Sequence, residues 1–187
     1  VGRIGYQDDY NAYLAVINDV VSQRYMREDK LDGTKSTEWH RISLAILAVG
    51  GDPTSIGKDE DGQSINLIAD GTYNRGKTVS LGAQGINGWI WGLIALDSMR
   101  YKIPEDAFYS RDDIIKEILQ LQLADGGFSF YRNKTDPDIT GMALQALAPY
   151  YNSEQTYTFQ QKATKKTVTK TVRQVVDESI QTLSELQ

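Results

Sequence analysis

Three stretches of this chain carry no charge around their whole circumference, and they return at nearly constant spacing. Leu44-Ala45-Ile46-Leu47-Ala48, Gly92-Leu93-Ile94-Ala95-Leu96 and Ala143-Leu144-Gln145-Ala146-Leu147 end at residues 48, 96 and 147. A helix that is apolar on every side reads as a buried helix. Between these stretches lie helices with one wet face. The first has Tyr10, Tyr13, Leu14, Ile17, Val20, Val21 and Tyr25 at helical spacing, with Arg24, Arg27, Glu28 and Asp29 crowding its end. Residues 112–123 put Ile114, Ile115, Ile118, Leu119 and Leu121 inward, and the last helix sets Val172, Val175, Val176, Ile180, Leu183 and Leu186 on one stripe.

A repeat of about 50 residues holding one fully buried and one half-buried helix constrains the fold more than any other feature. A double ring buries one helix of each pair on all sides, so the expected class is all-α: an α/α toroid, a partial ring in which inner and outer helices alternate. A HEAT-type superhelical solenoid is the structural alternative. Residues 1–187 are expected to form a single domain, with residues 152–170, rich in Thr, Gln and Lys, as a polar insertion on its surface.

The connections carry turn and cap chemistry. Asp32-Gly33 makes a turn, and Ser36 or Thr37 is an N-cap for a helix over residues 39–49 that Gly50-Gly51-Asp52-Pro53 stops. Residues 54–63 are read as an irregular acidic loop. Asp59-Glu60-Asp61-Gly62 resembles part of a calcium loop, but the register set by Gly62 puts Gly57 and Ile68 where oxygen ligands are needed. Residues 65–69 form a short helix leading into Asp70-Gly71-Thr72-Tyr73. In the helix from residue 85, Gly88, Gly92 and Ala95 let a neighbouring backbone approach, as do Gly141, Ala143 and Ala146 in the helix over 139–150. A polar connection, Asn133-Lys134-Thr135, precedes Asp136-Pro137-Asp138.

Composition excludes several functions. The chain of 187 residues is 40% hydrophobic, enough for a core, and its 25 acidic residues against 20 basic ones argue against nucleic acid or an anionic membrane as partner. With no cysteine there is no disulfide, thiolate metal site or Cys nucleophile. No apolar run approaches the length of about 20 residues that a membrane helix needs, so no membrane insertion is expected. No cofactor and no metal site is expected.

At Gln122-Leu123-Ala124-Asp125-Gly126-Gly127-Phe128 the chain resembles the repeats of the terpenoid cyclase and protein prenyltransferase superfamily, where a glutamine ends an outer helix and a glycine turn feeds an inner one. Gly85-Ile86-Asn87-Gly88, Ile94-Ala95-Leu96-Asp97-Ser98 and residues 136–147 resemble the branch of these repeats found in secreted or cell-surface proteins of Gram-positive anaerobes. The resemblance implies an extracellular or cell-surface location and a longer parent chain that completes the ring.

Asp136-Pro137-Asp138-Ile139-Thr140-Gly141-Met142-Ala143 resembles the acid motif of class II terpene cyclases, which makes Asp138 the general acid and Asp136 its partner. Ile139 stands where the family's last acid would be. Capping of the following helix by Asp136 or Asp138 is the structural alternative. The family's zinc-dependent prenyl transfer needs Cys and His ligands, and His40 is the only histidine. Trp39, Trp89 and Trp91 sit in the first turns of two apolar helices, where aromatic rings hold hydrophobic or sugar ligands or simply pack. The expected function is a non-catalytic toroid module binding an unidentified ligand or surface partner at the helix starts, through Trp39, His40, Asn87, Trp89, Asp136 and Asp138. The alternative is a squalene- or hopene-type cyclase.

Overall fold

The computed structural model describes residues 9–131 and 134–186. Asn133 of the expected polar connection and Gln187 lie outside the described residues. In chain order the elements are α1 (Tyr10–Tyr25), α2 (Thr37–Ala48), β1 (Ile56–Lys58), β2 (Ser64–Ile65), α3 (Leu67–Gly71), α4 (Ile86–Asp97), α5 (Arg111–Leu119), α6 (Pro137–Leu147), β3 (Thr156–Gln160), β4 (Thr167–Thr171) and α7 (Val172–Glu185).

The expected all-α toroid is therefore overturned: the described residues form a mixed fold of seven α-helices and two small antiparallel sheets. β1 lies in the expected irregular loop and β3 with most of β4 in the expected polar insertion, while β2 takes Ile65, the expected start of the short helix, which begins instead at Leu67. The chain divides into two compact units, one built from the chain up to Gln84 with Ala95–Tyr109, the other from Gly85–Ile94 and the chain from Ser110 onward. α4 contributes to both. The same order of parts occurs in each: α1, the Asp32-Gly33 turn, α2, the β1–β2 hairpin and α3; then α5, the Asp125-Gly126 turn, α6, the β3–β4 hairpin and α7. This unit recurs about 100 residues apart, α2 starting at Thr37 and α6 at Pro137, which is twice the spacing of the uncharged stretches; the middle stretch is α4, which stands between the two copies.

In the first unit Val21 and Tyr25 of α1, Trp39 and Ile46 of α2, Ile56, Ile65 and Leu67 form a core, with Leu14, Ile17 and Ile42 packed against it. The hairpin is short and is held by α1. Gly57 donates its amide to Asn18 Oδ1 at 2.8 Å, and Lys58 donates its amide to Ser22 Oγ at 2.9 Å. A Cβ at Gly57, whose φ is +64°, would stand 2.7 Å from Ser22 Oγ, so only glycine fits here. Asp59 spends its carboxylate on the amides of Asp61 and Gln63, which shapes the hairpin turn.

In the second unit the β3–β4 hairpin pairs Tyr157 with Lys170 and Phe159 with Val168. Tyr157 and Phe159 are buried while Thr156, Thr158 and Gln160 are exposed, the period-two pattern of a strand with one dry face. Thr and Gln suggested a polar loop, but Thr is β-branched and suits an exposed strand position. Thr171 ends β4 and also caps α7, its hydroxyl accepting from the Gln174 amide while the Gln174 side chain accepts from the Thr171 amide.

Helix faces also depart from expectation. α7 buries Val172, Val175, Val176, Ser179 and Thr182, whereas Ile180 and Leu186 are about half exposed. Ser179 and Thr182 go inward because their hydroxyls meet backbone carbonyls of the Asp125-Gly126 turn. α2 and α6 are one-sided rather than buried all round, since Arg41, Gly141 and Gln145 are exposed. Gly141 serves no close approach, because a Cβ there would meet nothing within 4 Å. Gly141→Ala is expected to stabilise the protein by about 0.5–1 kcal/mol through helix propensity, read as a higher urea midpoint. A loss of stability would show that a neighbour packs on this face.

Candidate functional site

The sequence-selected residues fall in both units. In the first, Trp39 is wholly buried, its Nε1–H donating to the Tyr25 hydroxyl at 2.7 Å, with the Arg75 guanidinium 4.1 Å over its ring. Tyr25 in turn donates to Asp70 Oδ2 at 2.9 Å. Burial first, and then the Asp70 carboxylate, push the Tyr25 phenol far above its ordinary range, so it stays a hydroxyl. The position is fixed by Gly71, where a Cβ would come within 2.4 Å of the Trp39 Cβ; α3 meets α2 by glycine contact.

His40 is just as enclosed. Its ring donates from Nε2 to the Gly71 carbonyl at 2.6 Å, which leaves Nδ1 as an unprotonated acceptor, buried and without a hydrogen-bond partner among the described residues. Burial pulls its pKa down to about 4, the backbone carbonyl opposing and the Arg75 charge assisting. The neutral ring is tied to the interior and presents neither nitrogen to solvent.

In the second unit Asp136 is the N-cap of α6, its Oδ1 accepting from the amides of Asp138 at 2.9 Å and Ile139 at 3.1 Å, with Pro137 in the first turn. Asp138 is exposed at the same helix start. A carboxylic acid that protonates an alkene needs burial or a neighbouring acid to stay protonated. Neither Asp138's exposure nor an Asp136 engaged with backbone amides supplies that. Thr140, from the same motif, is also structural: its hydroxyl accepts from the Phe128 amide at 3.0 Å and lies 2.7 Å from the Asp136 carbonyl. Trp89 is buried, Trp91 and Asn87 are half-buried, and the Asn87 Oδ1 is enclosed.

No protein-family model, curated protein or solved structure matches this chain.

Two clefts stand out, and none of the six selected residues lines either. The larger, of about 520 Å³, lies in the second unit between the Asp125-Gly126 turn and the polar face of α7. Four carboxylates line it, Asp125, Asp177, Glu178 and Glu185, against one ammonium, Lys170, a formal surplus of three negative charges. Lys170 is committed to Glu178, at 2.6 and 2.8 Å from its two oxygens, and also lies 3.4 Å from Gln122 Oε1. Asp125 accepts from the Gly127 amide and the Thr135 hydroxyl, which fixes its carboxylate at the turn. Asp177 accepts from the Tyr151 hydroxyl at 3.0 Å, and Glu185 from Gln181 at 2.6 Å. Each of these acids keeps acceptor capacity beyond the bonds named, because a carboxylate offers about four lone-pair directions.

Among the described residues no group of three His, Cys, Asp or Glu side chains could hold a metal ion. The surplus of carboxylate acceptors suits positively charged hydrogen-bond donors. The sequence signal for this cleft exists. Asp177, Glu178, Gln181 and Glu185 recur at helical spacing on the face of α7 opposite its valines. Its closure by Lys170 and Asp125 depends on tertiary structure. The second cleft, of about 220 Å³, lies between α1 and α2 in the first unit and is lined by Tyr13, Ile17, Val20, Arg24, Ile42 and Ala45 among others.

Proposed function

We propose that this chain is a non-catalytic binding module of a secreted or cell-surface bacterial protein, and that the cleft beside α7 takes a small organic cation bearing primary ammonium groups. The carrying observation is the surplus of carboxylates around a cleft of ligand size whose one lysine is already paired. An alkylammonium offers three donors and no acceptor, which matches acceptors spaced along a helix face. The surface location rests on the local resemblance at residues 85–88, 94–98 and 136–147. A cyclase reading centred on Asp138 has no comparable support, with Asp136 engaged as a helix cap and Asp138 in water.

Calorimetric titration with spermidine tests the proposal. Binding in the micromolar to submillimolar range is expected, weakening as salt is raised. The double substitution Asp177→Asn with Glu185→Gln is expected to weaken it roughly tenfold or more, each lost charge contributing about 1 kcal/mol. Both residues are exposed, so the fold should be unchanged. Absence of heat with spermidine, or binding indifferent to the double substitution, would overturn the assignment.

A further inference from the structure

α1 is apolar on two faces. Leu14, Val21 and Tyr25 face the core and half-buried Ile17 packs on its edge, while Tyr13, Val16 and Val20, with Ile17 at the boundary, form a second stripe at three- and four-residue spacing. Val16 is 60% exposed, Tyr13 43% and Val20 41%. Ile17, Tyr13 and Val20 continue into the cleft floored by Ile42 and Ala45 of α2 and rimmed by the Glu38–Arg41 pair, so the stripe is the apolar wall of that groove. A contiguous patch of this kind marks an interaction surface rather than scattered exposure.

The two ends of the stripe carry opposite charges. Asp9, the N-cap, begins it, and Arg24, in the last turn, ends it. In an antiparallel pairing centred between Val16 and Ile17, Asp9 faces Arg24 of a second copy, Tyr13 faces its Val20, and Val16 faces its Ile17. Every pairing then occurs twice about a two-fold axis. A parallel pairing would set acid on acid and base on base. A stripe that is self-complementary in one orientation alone is what an isologous interface requires.

We infer that the chain forms a two-fold dimer through α1, each copy laying its Tyr13–Val20 stripe against the other's, with the Asp9 and Arg24 pairs at the rims. One helix and part of a groove on each side place the interface at the small end of the range, below about 1,200 Å² in total, where association is weak and reversible. A dissociation constant on the order of 10–100 µM is expected.

Sedimentation velocity from micromolar to submillimolar concentration gives the first readout. Wild type is expected to shift toward dimer with concentration. Val16→Asp and Arg24→Glu, both at exposed positions and checked for native circular dichroism, are expected to remain monomeric, with dissociation raised at least roughly tenfold. The chain has no cysteine, so cross-linking supplies a second readout of register. Val16→Cys should oxidise to a disulfide-linked dimer, because position 16 lies beside the axis, whereas Tyr13→Cys, two helical turns from its counterpart, should not. Wild type that stays monomeric throughout, a dimer that survives both substitutions, or cross-linking as efficient from position 13 as from 16 would each overturn the inference.

Discussion

Gly126→Ala is expected to cost about 3 kcal/mol of stability. Gly126 has φ of +94°, outside the range that L-residues adopt without strain, and the backbone contribution alone is about 1–2 kcal/mol. The added Cβ would also lie 2.9 Å from the Glu178 carbonyl oxygen and 2.8 Å from Thr182 Oγ1. The carbonyl is part of α7 and cannot swing aside as a side chain would. Either the turn or the helix must move, and the Gly126 carbonyl then loses its bonds from Gln122 Nε2 at 2.9 Å and Ser179 Oγ at 2.7 Å. Gly62 supplies the control: its φ is +72° and a Cβ there would meet nothing within 4 Å. Gly62→Ala should therefore show the backbone cost alone. Urea denaturation of both variants separates strain from collision, and equal losses would mean that the turn does not press on α7.

The second large effect is on pH. His40 has an ordinary pKa of 6.5 in the unfolded chain and about 4 when folded, because burial disfavours the imidazolium. The unfolded chain thus binds the extra proton first, and stability falls as pH drops from about 6.5 toward 4. Between pH 7 and pH 5 the loss is about 2 kcal/mol, from a slope of about 1.4 kcal/mol per pH unit below 6.5. His40 is the only histidine and the chain has no cysteine, so no other side chain normally titrates in that window. His40→Gln, which keeps an N–H near the Gly71 carbonyl, is expected to flatten the dependence between pH 7 and pH 5. A wild-type urea midpoint that does not change across this window would show that the ring is neither neutral nor enclosed in the native state.

Much of the helical framework was legible in residue spacing. α1 runs over residues 10–25 as its periodicity predicts, and α2, α4 and α6 fall on the helices expected over residues 39–49, from 85 and over 139–150 to within two or three residues. Those stretches were legible as helices but not as faces. An uncharged Gly-Met-Ala-Leu-Gln-Ala run looks buried on all sides, yet Gly141 and Gln145 present so little apolar surface that water is tolerated there. The hairpins escape the sequence for different reasons. β3 carries an alternating signal in Thr156–Gln160 beneath its polar composition, and β4 is its polar partner; β1 and β2 are so short that they depend on Asn18 and Ser22, far back in the chain, to hold them to α1.

The site residues divide in the same way. Capping by Asp136 follows from Asp-Pro-Asp at a helix start, a local rule. The burial of His40 and Trp39 depends on Gly71, Tyr25 and Arg75, which no local pattern links to them. The acidic face of α7 was present in the spacing, but its meaning depends on what closes over it.

Thr171 belongs to two elements at once, and no linker residue separates them. Its backbone pairs with Thr156 at the end of the β3–β4 ladder, while its hydroxyl accepts from the Gln174 amide in the first turn of α7. Slipping the register by one residue would turn Tyr157 and Phe159 outward. The direction in which α7 leaves the hairpin is therefore set at a single residue, which acts as a rigid elbow: the strand pairing that buries Tyr157 and Phe159 also aims the helix that carries the acidic face.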